Sequence, residues 1–280
     1  MRTRKSKSAP VGVIGKVLRI LELLDQTPAG LQLKDVAAKT GINKSTVHRF
    51  VSHLEAEAYL FRDAAGTYML GPKLVRLGSG VNFQATLANI CHPTLEKLRE
   101  ITDETVNLAV LDGASVLYVD VLESFHTFRL VSQVGMRRAL YCTSLGKAIL
   151  ANMDDERKQE EIFSSIQFNP DTARAYGSVA RLKRDLVQTR AQGFALDDEE
   201  AVVGARCIGA AIYGSDGKVL GAISVSGPIS RVSKERLPFF SEEITKAARE
   251  ISWRLGYRFP KPERRSPKPV RAKRAAQSRG

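Results

Sequence analysis

Residues 43–59, NKSTVHRFVSHLEAEAY, constrain the chain more than any other stretch. Asn43 is a good helix N-cap, because its side-chain oxygen can accept from a backbone N–H that the first turn leaves orphaned. Behind it, Val47, Phe50, Val51 and Leu54 recur at i, i+3, i+4 and i+7, one apolar stripe on a helix. Off that stripe the first turns carry Lys44, Ser45, Thr46, His48 and Arg49, all hydrogen-bond donors, and no acid stands before Glu55. A helix that buries one side and offers donors at its N-terminal end suits a DNA major groove, where base edges and phosphates take donors. An ordinary amphipathic surface helix has the same stripe, so the flanking residues decide.

Upstream, LQLKDVAAKTGI (31–42) reads as a helix with Leu33, Val36 and Ala37 on its apolar face. Gly41 stands where a helix C-terminus favours a residue able to adopt positive φ. The start of this helix is poorly marked: Gln32 or Lys34 occupies the cap position, not Ser, Thr or Asp. Downstream, Tyr59 to Gly71 reads as two short strands around Asp63-Ala64-Ala65-Gly66. A further helix over 12–25, with Val17, Ile20, Leu21 and Leu24 on one face, would pack beneath both. Helix, turn, helix and hairpin make a winged helix-turn-helix. Its wing would carry Arg62 and Thr67 toward phosphates or the minor groove.

The second half favours another architecture. Val106, Leu108 and Val110 alternate up to Asp112-Gly113, a hairpin turn before a second β-rich run. FRLVSQ (128–133) is read as a third strand. Helices are expected at about 144–153, 156–163, 177–191 and 234–255, and strands at about 194–197, 206–213 and 219–226. Hairpins and helices without regular βαβ alternation argue α+β with a largely antiparallel sheet. Between the halves, Pro72 can start a helix weakened by Gly78 and Gly80, and a second helix at about 87–101 would cap the second domain. The expected division is a disordered basic arm (1–10), a winged helix-turn-helix (11–74), linker helices (75–101), a second domain (102–257) and a disordered basic tail (258–280).

The run from Val17 to Leu74, followed by LYCTSLGKAILA (140–151), GFALDDEE (193–200) and CIGAAIYGSDGKVLGAISVSGP (207–228), resembles the IclR family of bacterial transcription regulators. The resemblance covers roughly residues 13–257. It implies a GAF-like second domain with an effector pocket on one side of its sheet, and linker helices that share in a dimer contact. Carried onto this sequence, the family pattern implies pocket positions Ser144, Leu145, Asp197, Ala205, Cys207, Ser224 and Ser226.

The residues themselves give part of that pocket a reason. Thr143 or Ser144 can cap the helix that follows, leaving the N–H groups of Leu145, Gly146 and Lys147 for a carboxylate or phosphate. Gly146 would let a ligand approach the backbone closely. Ser224 and Ser226 share one strand face with Ala222, while Ile223 and Val225 take the other. Asp197 or Asp198 could accept from a ligand hydroxyl, the rest of GFALDDEE being a solvated loop. Each residue has a plainer role: Ser144 as a cap only, the serines bonded to their own backbone, Cys207 as simple core.

Charge is unevenly spread. Residues 1–80 hold 13 Lys/Arg against 6 Asp/Glu, residues 81–257 hold 21 against 23, and residues 258–280 hold 9 against 1. The positive charge belongs to the reading half and the tail, so DNA binding should weaken steeply with salt. The tail could add phosphate contacts or only solubility. Cys91, Cys142 and Cys207 form no CxxC pair and fit a reducing cytoplasm. No apolar run of about 18 residues marks a membrane span, and Lys16, Arg19 and Glu22 interrupt any secretory signal.

Competing chemistries fail on spacing. SLGKAIL lacks a P-loop's first glycine and its Ser/Thr, because Tyr141 and Ala148 stand there. Cys142, Cys207, Asp197 and His126 are scattered without metal-ligand spacing. No GxSxG signature supports hydrolysis. The expectation is therefore a DNA-binding regulator without cofactor, metal or enzymatic activity. It would be dimeric or tetrameric on a near-palindromic operator, tuned by a small organic acid, and would more commonly repress than activate. The rivals are an enzyme acting on a small acid with a DNA-binding appendage, and a non-specific nucleic-acid packaging protein.

Overall fold

Apolar spacing predicts the first helix well. In the computed structural model, which describes residues 12–79, 82–168 and 172–259, α1 spans Val13–Asp25 and buries Ile20 and Leu24. The expected arm at 1–10, Gly80 and the tail from residue 260 onward lie outside the described residues. β1 (Leu31–Gln32) leads directly into α2 (Leu33–Thr40). Gly41 ends α2 at φ +67, a left-handed turn that suits glycine, and its N–H bonds the Ala37 carbonyl. The Gln32 side chain makes no cap bond, as its chemistry predicts. α3 covers Lys44–Ala56, with the Asn43 side chain accepting from the Ser45 N–H at 3.4 Å. Val47, Phe50, Val51 and Leu54 are buried and join Ile20, Leu24, Val36 and Leu60 in one core.

β2 (Leu60–Arg62) and β3 (Thr67–Leu70) form the hairpin. Its turn is closed by Asp63, whose Oδ1 accepts from the N–H groups of Ala65 and Thr67 at 2.9 and 2.8 Å. β1 adds a third, antiparallel strand against β3, which the sequence reading did not include. α4 (Pro72–Ser79) follows.

Contacts divide the chain at Phe83/Gln84, so the two expected linker helices fall to different units. The helix expected from Pro72 through Ile90 is shorter: α4 stops at Ser79, and the second helix, α5, begins at Phe83, four residues before its expected start, and runs to Thr102. α5 buries Leu87, Cys91, Leu95 and Leu98 in the core of the second unit.

That unit is built on a six-stranded sheet of β4 (Thr105–Asp112), β5 (Ser115–Leu122), β6 (Arg137–Ala139), β7 (Ala195–Asp198), β8 (Ala205–Tyr213) and β9 (Val219–Pro228). The spatial order is β6-β5-β4-β9-β8-β7 and every pair is antiparallel. The helices are α6 (Ser144–Asn152), α7 (Glu156–Ser165), α8 (Val179–Gln192) and α9 (Leu237–Arg254). Strand alternation sends Leu108, Ile208, Ile223 and Val225 to one face, against α5 and α9. Ala109, Ala195 and Ala222 go to the other, against α6 and α8. The fold is α+β, a helix-turn-helix unit followed by a unit with an antiparallel sheet.

Two further expectations change. Residues 128–133 form no strand; the third strand is β6. The 124–130 segment is held instead by side chains: Thr105 Oγ1 donates to the Leu130 carbonyl at 2.9 Å, and Arg231 reaches the Phe128 carbonyl at 2.9 Å. The expected tail also begins ordered, because the Phe259 ring lies 4.7 Å from Tyr257 and Arg258 stacks over Trp253.

Candidate functional site

In the first unit, burying the Val47/Phe50/Val51/Leu54 stripe turns the opposite face of α3 to solvent. Lys44, Ser45, His48 and Arg49 are exposed and Thr46 is half-buried. None of the five charged or donor side chains predicted near this end is consumed by the core. Arg49 lies beside the Phe50 ring at 5.4 Å, which leaves its guanidinium at the surface. On the hairpin, Arg62 is exposed and stacks on Tyr68 at 5.3 Å, while Thr67 is half-buried. An exposed helix end bearing donors, next to a hairpin that presents Arg62, can enter a groove and hold the flanking phosphates.

In the second unit, close packing of α6 on the sheet makes a pocket. Gly209 of β8 allows it: a Cβ there would stand 2.6 Å from the Ser144 carbonyl oxygen. The helix N-terminus is thereby laid directly on the strands. Beside it lies a cavity of about 70 Å³ lined by Ser144, Leu145, Asp197, Ala205, Cys207, Ser224 and Ser226, together with Tyr118, Arg138 and Val131 among others.

Gly146 is the exception. It does not line this cavity, and its own Cβ would sit 2.2 Å from the Leu140 carbonyl oxygen. The glycine serves packing of α6 against the preceding 3₁₀ turn, not ligand approach. Its N–H is also taken, since Thr143 Oγ1 accepts it at 3.1 Å, and the Lys147 N–H bonds the Thr143 carbonyl. The anion-facing N–H groups therefore reduce to those of Ser144 and Leu145, which have no carbonyl one turn back within the helix.

The pocket floor is polar and buried. Asn107 Nδ2 donates to Ser224 Oγ at 3.1 Å and Ser226 Oγ at 3.3 Å. The two hydroxyls lie 3.4 Å apart, and Asn107 Oδ1 has no partner among the described residues. Asp197 is 3% exposed, and burial lifts its carboxyl to about 6 even though the N–H groups of Glu200 and Ala201 donate to it. Burial, with Asp197 nearby, pushes the Cys207 thiol well above its ordinary value. Burial likewise raises the Tyr118 phenol. A neutral thiol, a neutral phenol, two hydroxyls and an acid near its titration point can bind a small polar molecule. Arg138 at the mouth, with the start of α6, favours an anionic one.

The GFALDDEE segment is not a solvated loop. Only Asp197 faces the pocket; Asp198 pairs with Arg206 at 2.6 Å, Glu199 accepts from the Gly204 N–H, and Glu200 is buried against Lys147 at 2.7 Å. Sequence reasoning missed Tyr118, Arg138 and Val131. Tyr118 alternates onto the pocket face of β5 beside Val116, a signal that was available. Arg138 had none, because β6 is three residues long. Among the described residues no group of three or more His, Cys, Asp or Glu could hold a metal ion, and no helix is long and apolar enough to cross a membrane.

Comparison with known proteins places both units. Residues 13–64 match the IclR helix-turn-helix domain, and residues 82–253 match the bacterial transcriptional regulator IclR C-terminal domain. The HTH-type transcriptional regulator BhcR of Paracoccus denitrificans is 35% identical over 255 residues, covering 90% of each chain. The transcriptional repressor IclR of Escherichia coli is 30% identical over 264 residues, 91% of this chain and 96% of its own. The crystal structure of Thermotoga maritima IclR superposes with a TM-score of 0.60 at 30% identity, covering 87% of this chain and 98% of that one. With a donor-bearing exposed helix in one unit, a polar cavity in the other, and both units matched in order, the chain belongs to the IclR family of bacterial transcriptional regulators, which join a DNA-binding helix-turn-helix to an effector-binding C-terminal domain.

Proposed function

We propose that this regulator represses a catabolic operon in the bacterial cytoplasm, binding DNA as a dimer or tetramer without enzymatic activity of its own, and that a small carboxylic acid in the C-terminal pocket sets its operator affinity. The pocket carries the reading: an α6 N-terminus, two buried serines and the buried Asp197 converge on about 70 Å³. That space holds a molecule of few heavy atoms. Repression agrees with relatives named as repressors, among them the acetate operon repressor of Salmonella typhimurium at 29% identity. Lys44, Ser45, Thr46, His48 and Arg49 meet the major groove, and Arg62 and Thr67 the flanking backbone. Two copies of α3 about one helical turn apart require a near-palindromic operator. The acid acts as a signal by binding one arrangement of the reading heads better than another.

Two measurements test this reading. Thermal-shift screening of two- to four-carbon acids should raise the melting temperature for at least one, because a ligand of the folded state stabilises it by mass action. Arg49→Ala should weaken operator binding by about 1–3 kcal/mol if Arg49 reads a base; unchanged affinity removes it from the interface.

A further inference from the structure

Lys147 lies one helical step behind the pocket, three residues after Ser144 on α6, and is 0% exposed. Its ammonium stands 2.7 and 2.9 Å from the two Glu200 oxygens and 3.2 Å from Asp185 of α8. It also donates to the Leu196 carbonyl and, at 3.5 Å, to the Tyr176 hydroxyl. Taking an ammonium out of water is costly, and an apolar pair of similar volume often replaces such a bridge without loss. Stability alone is therefore a weak reason for a charge at this position.

The surroundings of Glu200 suggest a better one. Its N–H donates to Asp197 Oδ1 at 2.8 Å, and the next N–H, of Ala201, does so at 3.2 Å. Thr172 Oγ1 lies 2.7 and 2.9 Å from the carbonyls of Glu199 and Glu200. Glu199 sits at φ +63, a left-handed conformation that a side chain adopts only where its surroundings impose it. A continuous line of bonds thus runs from the Lys147 ammonium, through Glu200, to the Asp197 carboxylate in the cavity. Asp197, Ala201 and Val202 line the cavity; Lys147 and Glu200 do not.

We infer that Lys147 and Glu200 are a positioning pair for the effector site: by pinning the 199–204 loop to α6 they set where Asp197 and the Ala201–Val202 edge stand, without touching the ligand. This rests on reading the cavity as the effector site. Burial lifts Glu200 to about 7, so the pair can open near neutral pH; the titratable groups facing it are Lys147, Asp185, Asp197 and Tyr176. Lys147 is held in its charged form, since burial alone would lower it but Glu200 and Asp185 raise it further.

The test compares wild type, Glu200→Gln and the double variant Lys147→Met/Glu200→Leu, which refills the volume without charge. A purely structural pair would be satisfied by the double variant; a positioning pair would not. Iodoacetamide alkylation of each cysteine at pH 8, read by mass spectrometry, reports on the loop through Cys207, with buried Cys91 and Cys142 as internal controls. Calorimetry with acetate, glycolate and lactate reports on the site. The expected result is unchanged protection of Cys91 and Cys142, Cys207 alkylation at least tenfold faster, and at least tenfold weaker binding of whichever acid wild type binds. Cys207 reactivity within twofold of wild type in a folded variant overturns the inference. If wild type binds none of the acids, it is the effector reading that suffers, and the Cys207 rates still decide the pair. If all three thiols react together the variants have unfolded, and hydrogen exchange of Asp197→Asn, in which this acid can no longer titrate, decides. Protection of 199–204, corrected for intrinsic rates, should then fall at least threefold from pH 8 to pH 6 while β8 stays unchanged; equal protection at both pH values refutes the pair's role.

Discussion

The two faces of the six-stranded sheet are made by the same strands and differ in kind. On the α5/α9 face, Ile208, Ile223 and Val225 are completely buried among other aliphatic side chains. One residue away along the same strands, Cys207, Ser224 and Ser226 face α6 and join Asn107, Asp197, Lys147 and Glu200. Both faces bury an apolar cluster, yet the α6 face also buries hydrogen-bonding groups and charges beside it. Burying apolar area stabilises at about 25 cal/mol per Å², whereas burying a polar group costs free energy unless a partner offsets it. The aliphatic positions are thus the source of stability, and the polar patch beside α6 is where stability is given up for chemistry. Substitutions on the two faces should therefore separate stability from ligand response.

The largest expected effect is on the aliphatic face. Ile208→Ala should cost about 2–5 kcal/mol in urea unfolding, while the affinity of the folded protein for its acid stays within about threefold. A large loss of ligand affinity at unchanged stability would erase the distinction. Next comes Asp197→Asn. Because burial raises this carboxyl from 3.8 to about 6, the folded chain holds its proton more tightly than the unfolded chain does. The stability it contributes is present below about pH 4 and is lost as pH rises through 6. Above pH 6 the asparagine variant, still able to accept from the N–H groups of Glu200 and Ala201, should be more stable than wild type by up to about 3 kcal/mol. The gap should close near pH 4, as urea titrations at pH 4.5 and 7.5 will register. A destabilised variant at pH 7.5 would show that Asp197 is a structural acid. The smallest effect belongs to Ser226→Ala, which removes one Asn107 partner and leaves Ser224: about 0.5–1.5 kcal/mol of stability, with ligand affinity reduced about tenfold by calorimetry.

How much of this could be read from residues depends on the range of the forces involved. The α3 stripe, the Gly41 turn and the split of β9 into serine and aliphatic faces are local periodicities, and each appears in the structure at the expected positions. Seven of the eight residues proposed for the pocket line one cavity. Local chemistry misled where a distant partner decides. β1 is only Leu31–Gln32 and exists because β3 pairs with it. FRLVSQ has strand-forming residues but is held by Thr105 and Arg231 from elsewhere in the chain. Lys147 looks like a solvent-facing lysine until Glu200, 53 residues on, closes over it. Gly146 carried the right residue for a close approach, but the approaching group is the Leu140 backbone.

The most direct test couples both units in one titration: fluorescence anisotropy of an operator duplex from the DNA upstream of the gene, with and without the acid found by thermal shift, for wild type and Asp197→Asn. The two proteins should bind the bare operator equally, and the acid should shift wild type while Asp197→Asn needs at least tenfold more of it. An equal response of both proteins to the acid, or no preference of wild type for operator over random duplex, would contradict a ligand-controlled reader of DNA.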